Sequence, residues 1–446
     1  MARILRTNAR EVFDSRGNPT LEVQVALEDG CSGVAIVPAG ASTGTHEAAE
    51  LRDGELNRYH GKGVTRAVKN VEWEIPQVLV GLEASNQTLV DQTLIQFDRT
   101  PNKRRLGANA ILGVSIAVAR AAANSARLPL YRYLGGAAAN ELPVPLVNII
   151  SGGIHGGGNI DFQDFMMIPL RAKTYSAALA DVNAVYRAAK EVLRDGGVYR
   201  AGVADEGGYA PALESNESGF SIMVEAIERA GLEPGRDAAI AVDVAASHFC
   251  ERGRYHLQVP DEELSADGLV ERLASSVDRY PILSIEDGLD EDDWDGWLAL
   301  TGRLGDRCLL IGDDLFVTNA DRLERGIEQG IANAVLVKIN QIGTLTETLD
   351  VVSLARRNGY QPVISARSGE TEDDFIADLA VAAGASLIKV GAITRSERLA
   401  KYNRLVRIEQ ELGSHAVYRG EKVFAAVLEA NAGSWHYKNR ERRANN

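Results

Sequence analysis

The first part of the chain alternates apolar and polar positions with a period of two. Residues 21–27 place every second side chain on one face, and Asp29-Gly30 forms a turn before a second apolar run at 31–37. This pattern predicts a β-hairpin with one face in water. The segments that follow have helical spacing as far as Leu134. We therefore predict a small α+β domain over residues 1–135, followed by a linker rich in glycine and proline.

Beyond residue 140 the chain changes to short, continuous apolar runs, each of which ends in a polar or ionisable residue. The run-ending residues are Asp243, Glu286, Asp313, Lys338, Ser365 and Lys389. The segments between the runs are amphipathic, and in 269–277 the apolar positions fall on one helical face. Continuous apolar strands are typical of a parallel sheet that is covered on both faces. The alternation predicts a β/α barrel of the TIM-like type, with about eight units, over residues 140–446.

The run-ending residues distinguish between two arrangements of such strands. A doubly wound open sheet also has buried strands, but it does not require many ionisable strand ends to converge. In a β/α barrel the carboxyl ends of the strands meet at one mouth, where active-site groups lie. The run-ending residues therefore favour the barrel and predict an active site at its mouth.

The composition limits the partners that the protein can have. The chain has 446 residues, a hydrophobic content of 45% and a net charge of −14, with a sequence pI near 5.1. A strongly acidic chain is a poor binder of nucleic acid or anionic membranes, because phosphate binding depends on lysine and arginine. Its cysteines, Cys31, Cys250 and Cys308, form neither a disulfide framework nor a zinc pattern.

The longest apolar stretch, residues 108–123, contains Arg120 and many small residues. It predicts a buried helix rather than a membrane span. The first residues lead directly into a strand-like stretch without an apolar signal region. We expect a soluble, cytoplasmic protein with no nucleic-acid or membrane partner.

Some of the run-ending residues are acids, namely Asp243, Glu286 and Asp313. If their carboxylates share one mouth they repel each other, so either some of them are protonated or a cation lies among them. Ligands that are all oxygen atoms favour Mg²⁺ over Zn²⁺. Each acid alone is typical of a helix cap or an ion pair, whereas the whole set at equivalent positions favours a metal site.

Lys338 and Lys389 end further runs, and apolar residues flank Lys338 on both sides. Burial lowers the free-energy cost of losing a proton, so Lys338 suits the role of a general base. The alternative interpretation is that a buried lysine only neutralises the neighbouring acids. Both roles are compatible at a metal site, with one lysine as the base and the other as a cation that binds the substrate.

Glycine-containing loops add further candidate residues. Asp205–Pro211 can present Glu206 as a general acid, although by itself it is an ordinary turn. Ser151–Gly158 lacks the phosphate-loop pattern and predicts a mobile lid that carries His155. Val37–Gly44 predicts a flexible loop that reaches from the small domain over the barrel mouth.

The stretch SARSGETEDD, residues 365–374, follows an apolar run and combines an arginine and a serine with a glycine turn. It predicts an anion-binding loop in which Arg367 and Ser368 hold the ligand. Together with a divalent metal, a lysine base and a carboxylic acid, this loop favours removal of a proton next to a carboxylate. A lysine base with one or two Mg²⁺ ions is the pattern of the enolase superfamily.

The chain resembles the enolase family over nearly its whole length. The matching stretches are Phe13–Thr20, Gly40–Gly44, Gly107–Ala117, Asp205–Pro211, Gly312–Asn319, Lys338–Thr344 and Arg395–Asn403. The resemblance implies a small α+β domain, then a β/α barrel whose first turns are irregular, and a homodimer or larger homo-oligomer. It also implies an enzyme that dehydrates 2-phosphoglycerate to phosphoenolpyruvate with two Mg²⁺ ions in each active site.

The resemblance also implies roles for single residues in metal binding and proton transfer. The implied ligands of the first metal are Asp243, Glu286 and Asp313. Ser42 joins the second metal. Lys338 is the implied base that takes the C2 proton, and Glu206 the acid that assists departure of the C3 hydroxyl.

For the substrate, the resemblance implies contacts on two loops and one strand. Arg367 and Ser368 hold the phosphoryl group, and Lys389 holds the carboxylate. His155 belongs to the closing lid, and Gln163 binds the substrate. These roles give a small phosphorylated or phosphonylated carboxylic acid as the partner.

Two departures from the family pattern lie on the side of the leaving hydroxyl. The family has Gln-Glu-Phe where this chain has Asp164 after Gln163, and it has a histidine where this chain has Ala366. One methylene lost from a positioned acid moves its oxygens and can cost about a hundredfold in rate. Asp164 stays a predicted catalytic residue, and the space beside it can admit a larger or differently charged substituent. Other departures are Asp287-Gly288 for Asp-Pro, His248 for the glutamate of Ser-Glu-Phe and Val390 for the threonine of Lys-Thr-Gly.

Three hypotheses account for this set of residues. The first is a divergent enolase-family enzyme that abstracts the C2 proton of 2-phosphoglycerate or a close phosphoryl or phosphonyl relative, as in carboxyphosphonoenolpyruvate synthesis for phosphonate antibiotics. The second is a housekeeping enolase of glycolysis, and the third is a non-catalytic binding protein with the same fold. Retention of Lys338, Glu206 and Arg367 argues against the third. The localised losses at Asp164 and Ala366 favour the first over the second.

Overall fold

The structure is a computed structural model that describes residues 2–40 and 45–432. It begins with an antiparallel sheet of three strands in the order β1-β2-β3. The strands are β1 (Ile4–Phe13), β2 (Pro19–Leu27) and β3 (Ser32–Ile36). Alternate side chains of β2 are buried, and the hairpin predicted over 21–37 is confirmed.

Helices pack against this sheet before the barrel begins. They are α1 (Thr65–Lys69), α2 (Pro76–Leu79), α3 (Gln87–Asp98), α4 (Ala108–Ala126) and α5 (Leu130–Gly135), with a π-helical turn at Asn70–Glu74. The predicted buried helix is confirmed as α4, whose side chains are buried from Ala108 to Ala119. Gly33 in β3 permits this packing, because a Cβ atom there would lie 2.2 Å from the Ala117 carbonyl oxygen. Within the described ranges no helix is long and apolar enough to cross a membrane.

Among the described residues, the later strands form the barrel and two small additional sheets. These strands are β4 (Glu141–Leu142), β5 (Val144–Ser151), β6 (Asp164–Pro169), β7 (Ala238–Asp243), β8 (Cys250–Glu251), β9 (Arg254–Gln258), β10 (Asp261–Leu264), β11 (Ile282–Glu286), β12 (Leu309–Gly312), β13 (Ala334–Val337), β14 (Gln361–Ser365), β15 (Leu387–Gly391) and β16 (Val417–Tyr418). The closed barrel has the order β5-β6-β7-β11-β12-β13-β14-β15, and β15 pairs with β5. One additional sheet consists of β8, β9 and β10, and the other of β4 and β16. Leu146, Leu283 and Leu336 belong to the apolar cluster inside it. The predicted fold class, a small α+β part followed by a β/α barrel, is confirmed.

One barrel strand runs against the others. β6 pairs antiparallel with both β5 and β7, whereas the remaining barrel pairs are parallel. Asp164 therefore begins β6 opposite Ser151 and Asp243, which end their own strands. An apolar run has the same pattern in either direction, so the sequence pattern alone does not reveal this reversal. The irregular first turns implied by the family resemblance are confirmed.

The later helices lie between the barrel strands from β6 onward or after the last of them. They are α6 (Tyr175–Asp195), α7 (Asn216–Arg229), α8 (Ala266–Arg279), α9 (Trp294–Leu304), α10 (Ala320–Gln329), α11 (Ile339–Ile342), α12 (Leu345–Arg357), α13 (Phe375–Ala382), α14 (Ser396–Leu412) and α15 (Ala425–Ala430). In α8 the side chains of Leu269, Leu273 and Val277 are buried, so the amphipathic helix predicted over 269–277 is confirmed. The Ser265 side chain caps α8 by accepting from the Gly268 backbone N–H.

A largely buried ion pair joins the first part of the chain to the barrel. Arg120 on α4 donates to Asp373 Oδ2 at 2.6 Å and Oδ1 at 2.8 Å, and to Asp374 Oδ1 at 3.0 Å. Asp373 also accepts from the Ile36 backbone N–H at 2.9 Å. Burial alone would raise the pKa of Asp373, but the Arg120 charge outweighs it and lowers that pKa. The link positions the loop after β14, which carries the predicted anion-binding residues.

Candidate active site

The carboxyl ends of the barrel strands surround one cavity. The predicted site residues that line it are His155, Gln163, Glu206, Asp243, Asp313, Lys338, Arg367, Ser368 and Lys389. Asp164 and Glu286 lie next to this lining, bonded to His155 and Lys389. Ser42 lies outside the described residues. The convergence expected of strand ends in a barrel thus brings these side chains together.

Lys389 bridges two of the predicted metal acids. Its Nζ donates to Asp243 Oδ2 at 2.8 Å and to Glu286 Oε1 at 2.7 Å, and the Gln163 amide donates to the same Asp243 oxygen at 3.1 Å. Burial opposes the charge on Lys389, but the carboxylates outweigh it and raise the lysine pKa well above its usual value. Burial and the adjacent Asp243 charge raise the pKa of Glu286 well above its usual value.

Lys338, the predicted base, is bonded to the third acid. Its Nζ donates to Asp313 Oδ2, and the Gln341 amide donates to Asp313 Oδ1 at 3.0 Å. The apolar residues beside Lys338 in the sequence predict a lysine pKa below its usual value, because burial disfavours the charged form. Burial does act in that direction, but the Asp313 carboxylate outweighs it and raises the Lys338 pKa. The expected lowering is therefore wrong for this arrangement, because an ion-pair partner distant in sequence dominates.

The acids at the mouth fit a hard divalent cation. Asp287, Asp313 and Asp314 each offer a carboxylate oxygen, and these atoms lie within 4.8 Å of one another. Glu286 Oε2 is buried and has no hydrogen-bond partner among the described residues, which leaves one oxygen for a ligand. In the predicted set of Asp243, Glu286 and Asp313, each carboxylate accepts a hydrogen bond from a lysine ammonium group. Donors that are all carboxylate oxygens suit Mg²⁺.

Sequence reasoning missed Asp287 and Asp314. Asp287 has a positive φ of 41°, and its carboxylate accepts the backbone N–H groups of Asp313 and Asp314 at 2.9 Å each. Burial and the neighbouring acids raise the pKa of Asp287 well above its usual value, and they raise that of Asp314 to about 7. The sequence does contain a local signal for Asp287 and Asp314, because each of them directly follows a predicted metal ligand. Asp287 ties the end of β11 to the end of β12.

The predicted anion-binding loop is held by residues from two distant parts of the chain. Arg367 Nη1 donates to Glu47 Oε2 at 3.1 Å and to Asn340 Oδ1 at 2.7 Å, and its Nη2 donates to Glu47 Oε1 at 3.2 Å. Sequence reasoning missed Glu47 and Asn340. Glu47 follows the predicted loop over the barrel mouth, and Asn340 follows Lys338, but neither position carries a pattern that assigns a partner.

Arg398 fixes the backbone of the same loop from behind. It is fully buried on α14, and it donates to the carbonyl oxygens of Arg367 at 2.6 Å, Ser368 at 2.7 Å and Val390 at 3.0 Å. Sequence reasoning gave it no role, although it lies in the family-like stretch 395–403. A charged side chain buried in this way keeps Arg367 and Ser368 in one position relative to the cavity.

Asp164, His155 and Glu206 form a second buried group. Asn148 Nδ2 donates to Asp164 Oδ1 at 2.7 Å and to Glu206 Oε2 at 3.1 Å, while His155 Nδ1 lies 2.9 Å from Asp164 Oδ2. Burial opposes a charge on His155, but Asp164 and Glu206 outweigh it and raise the His155 pKa to about 9. The imidazole is therefore an imidazolium at neutral pH.

This pKa predicts a loss of stability at alkaline pH. The folded pKa of His155, about 9, lies above the unfolded value of about 6.5, so its contribution is complete below pH 6.5 and is lost as pH rises through 9. The unfolding free energy of the wild type should therefore fall by roughly 3 kcal/mol between these pH values. His155→Asn should remove this component, whereas His415→Asn, at an exposed position, should keep it. Urea unfolding at pH 6.5 and 9.5 measures this fall in the unfolding free energy. An equal fall in the wild type and in both variants would contradict the prediction.

The loop predicted as a lid connects β5 to β6. Its backbone is hydrogen-bonded to the returning segment, from Gly152 N to the Gln163 carbonyl at 2.7 Å and from Gly153 N to the Ile160 carbonyl at 2.8 Å. A Cβ atom at Gly152 would lie 2.3 Å from Ile160, so this glycine is needed for close packing. The loop has a defined path into the mouth, and its mobility stays a prediction.

Ala366 is buried in the cavity wall, with 7% of its surface exposed. Its backbone N–H donates to the Lys389 carbonyl at 2.9 Å, so the main chain is fixed while the methyl group borders the cavity. Among the described residues, the imidazoles that line the cavity belong to His155 and His248. His248 lies on the 3-10 turn Ala246–Phe249, a short step along the chain from the end of β7.

Two protein-family models match the chain. The model described as the N-terminal domain of enolase matches residues 4–134, and the model described as the C-terminal TIM barrel domain of enolase matches residues 139–427. The first match spans the three-stranded sheet and the helices up to α5, and the second contains the whole barrel. Since the two matches together account for nearly all of the chain, the protein belongs to the enolase family.

Proposed function

We propose that this enolase-family protein is a Mg²⁺-dependent enzyme that removes the C2 proton of 2-phosphoglycerate, or of a close phosphoryl or phosphonyl relative, and forms an enolpyruvate product. One observation carries the proposal: Lys338, the Arg367-Ser368 loop and the His155–Glu206 group all border one cavity. A base, an anion-binding loop and a source of protons around one cavity are what such an elimination requires.

Each side chain has a role in this proposal that follows from its chemistry. Lys338 accepts the C2 proton, and Arg367 with Ser368 binds the phosphoryl or phosphonyl group. Lys389 binds the substrate carboxylate. Release of the ion pair with Asp313 would lower the Lys338 pKa toward the value that a base needs.

The acids of the mouth would hold the metal. The residues proposed as ligands are Asp243, Glu286 and Asp313 for one Mg²⁺ ion and Ser42 for another. When bound, Mg²⁺ supplies positive charge that stabilises the negative charge developing on the substrate carboxylate. Lys389 keeps Asp243 and Glu286 close together before any metal binds.

The finer identity of the substrate rests on Ala366 and Asp164. A methyl group in place of an imidazole and a shorter acid leave more space beside the leaving group. We propose that this space accepts a larger or more negatively charged substituent, as in the formation of carboxyphosphonoenolpyruvate. The second candidate is conversion of 2-phosphoglycerate to phosphoenolpyruvate in glycolysis, which the full-length match to enolase domains favours.

Hydrogen exchange and elimination separate these candidates. The protein is incubated with 2-phosphoglycerate and Mg²⁺ in D₂O, and deuterium at C2 and phosphoenolpyruvate are followed together by NMR. Exchange with little elimination supports a divergent enzyme, whereas rapid elimination supports a housekeeping enolase. A chelator should stop both reactions. Absence of both in the presence of Mg²⁺ would exclude 2-phosphoglycerate as the substrate and, with it, the housekeeping candidate.

A histidine at position 366 should increase elimination if the enzyme is divergent. In the Ala366→His variant we expect at least about tenfold more phosphoenolpyruvate per C2 exchange event, because an added imidazole can donate a proton to the departing hydroxyl. Ala366→Gln has a comparable size and no titratable proton, so it should not gain elimination. The ratio of product to deuterium incorporation is the measurement. Equal ratios in both variants would show that Ala366 does not limit elimination.

A further inference from the structure

The 3-10 turn Ala246–Phe249 carries an imidazole that has no role in the proposed reaction. The side chain of His248 lines the cavity and is exposed to solvent at its rim. Within residues 2–40 and 45–432, its ring makes no hydrogen bond and no ion pair. His248 is therefore a polar group at the candidate active site whose hydrogen-bonding capacity is available to a ligand.

The backbone around His248 is fixed by contacts with the next strand ends. The Ala246 backbone N–H donates to the Asp287 carbonyl oxygen at 3.0 Å. Ser247 Oγ accepts from the Glu291 backbone N–H at 2.9 Å. Only the side-chain torsions of His248 have to be ordered when a ligand binds, which keeps the entropic cost of binding small.

The order of the strands places His248 opposite the phosphoryl end of the cavity. The turn follows β7, and between β7 and β14 lie β11, β12 and β13 on one side and β6, β5 and β15 on the other. Arg367, which is proposed to bind the phosphoryl group, follows β14. A substrate held by Arg367 presents its carbon chain to the opposite wall. Since Lys389 is proposed to bind the carboxylate of C1, the part that is left for His248 is C3 and the groups that C3 carries.

Two departures from the family pattern at this cavity favour the same kind of substituent. Where the family has a glutamate, this chain has His248, and where the family has a histidine, it has Ala366. An imidazole in place of a carboxylate removes a negative charge and supplies at least one N–H donor, whether the ring is neutral or charged. A methyl group in place of an imidazole frees more space than a carboxylate fills. Both changes favour a negatively charged group on C3.

The charges near His248 are compatible with an anion. Asp243 and Asp313 act on the imidazole as negative charges, and His155 and Lys338 act on it as positive charges. The two acids are proposed metal ligands, so bound Mg²⁺ offsets their charge. The two cations then attract an anion beside His248.

We propose that His248 is a specificity-determining residue, and that it binds a second carboxylate carried by C3 of a four-carbon phosphoryl substrate. The inference rests on the proposed function, since such a substrate is one of the close relatives of 2-phosphoglycerate that it includes. The C2 proton goes to Lys338, and the C–H electron pair becomes the second bond between C2 and C3. The C3–O bond breaks, and the hydroxyl leaves as water with one proton from the His155–Glu206 group. No electrons are gained or lost, and both carboxylates stay in the product.

Binding of two unreactive analogues tests the carboxylate site. Phospholactate and phosphomalate, in the C2 configuration of 2-phosphoglycerate, have no C3 hydroxyl to eliminate and differ only in the carboxylate on C3. Calorimetric titration into the full-length protein with Mg²⁺ gives the preference, which is the dissociation constant of phospholactate divided by that of phosphomalate. We expect a preference of at least about tenfold, as for one hydrogen bond to a charged group. Equal affinities, or tighter binding of phospholactate, would overturn the proposal.

Variants at position 248 separate the hydrogen bond from the charge. His248→Gln keeps an N–H donor and should still prefer phosphomalate. His248→Glu puts a negative charge beside the carboxylate of the ligand, so the preference should fall by about 10²-fold or more. His415→Glu adds the same charge at an exposed position and should keep the wild-type preference. If His248→Glu kept it as well, the assignment of His248 would be wrong.

Turnover distinguishes a failure of this inference from a failure of the proposed function. Tartrate phosphorylated on its C2 hydroxyl, in both C3 configurations, is compared with 2-phosphoglycerate in D₂O with Mg²⁺. We expect kcat/KM to be at least about tenfold higher for one tartrate ester, and His248→Glu to reverse this order. Turnover of 2-phosphoglycerate without any preference for a tartrate ester would refute this inference and not the proposed function. A preference for phosphomalate that His248→Glu removes, with no exchange or elimination from any of these esters, would contradict the proposed function on these substrates and still support the carboxylate site.

Discussion

Lys338→Ala should lose C2 hydrogen exchange by about 10²- to 10⁴-fold, the contribution expected of a general base. Lys338 lines the cavity, and its ammonium group is already within hydrogen-bond reach of Asp313. Without the amine, no other lysine borders the cavity in the described part of the chain except Lys389, which is committed to Asp243 and Glu286. Deuterium incorporation into 2-phosphoglycerate in D₂O measures the loss.

Lys338→Arg separates the base from the positive charge. An arginine keeps a cation beside Asp313 but does not lose its proton at accessible pH. Both variants should therefore lose exchange, while Lys422→Ala, at an exposed position, should not. The increase of the melting temperature on adding Mg²⁺ checks that the metal ligands are intact. Exchange that survives in Lys338→Ala would refute the assignment of the base.

Arg120→Ala should destabilise the protein by about 3–5 kcal/mol, the cost of leaving a buried charge without its partner. Only 9% of the Asp373 side chain is exposed, and Arg120 provides its bidentate partner across the contact between α4 and the barrel. The same deletion removes the cation near Asp374, whose pKa burial already raises. Urea unfolding at neutral pH measures the change in unfolding free energy.

A surface pair provides the comparison for Arg120. Arg10 and Glu22 form an ion pair on the first sheet with 64% of the arginine side chain exposed. Exposed pairs of this kind contribute about 0–1 kcal/mol, so Arg10→Ala should change stability little. Because the pKa of Asp373 is lowered in the folded protein, the contribution of the buried pair is present at neutral pH and is lost as pH falls through that pKa. Equal losses for both arginine variants at neutral pH would contradict the proposed difference.

The barrel was predictable because its strands are buried on both faces. Apolar runs that end in Asp243, Glu286 and Lys389 identify strands and the direction of their carboxyl ends without any knowledge of pairing. The reversal of β6 was not predictable from the same pattern, since Asp164 precedes its apolar run rather than ending it. Only the pairing of β6 with both neighbours places that acid at the mouth.

The candidate site was likewise predictable from the sequence only in part. Residue types at strand ends predicted a base, metal acids and an anion-binding loop, and these come together in the structure. The partners of these residues come from distant segments, as with Glu47 on Arg367 and Arg398 on Ser368. The direction of the pKa shift of Lys338 depends on such a partner, Asp313. Burial alone therefore predicts the wrong direction.

The reversed strand has a consequence for how this active site can change during evolution. A hairpin connection from β5 to β6 leaves and re-enters the barrel at the mouth, so residues inserted into it need not displace a surrounding helix. Lengthening a loop adds little to the free-energy cost of closing it, about 0.6 kcal/mol for each doubling of its length. New substrates can therefore be selected by rebuilding the segment around His155, while the proposed metal ligands of the barrel strands and Lys338 keep their places.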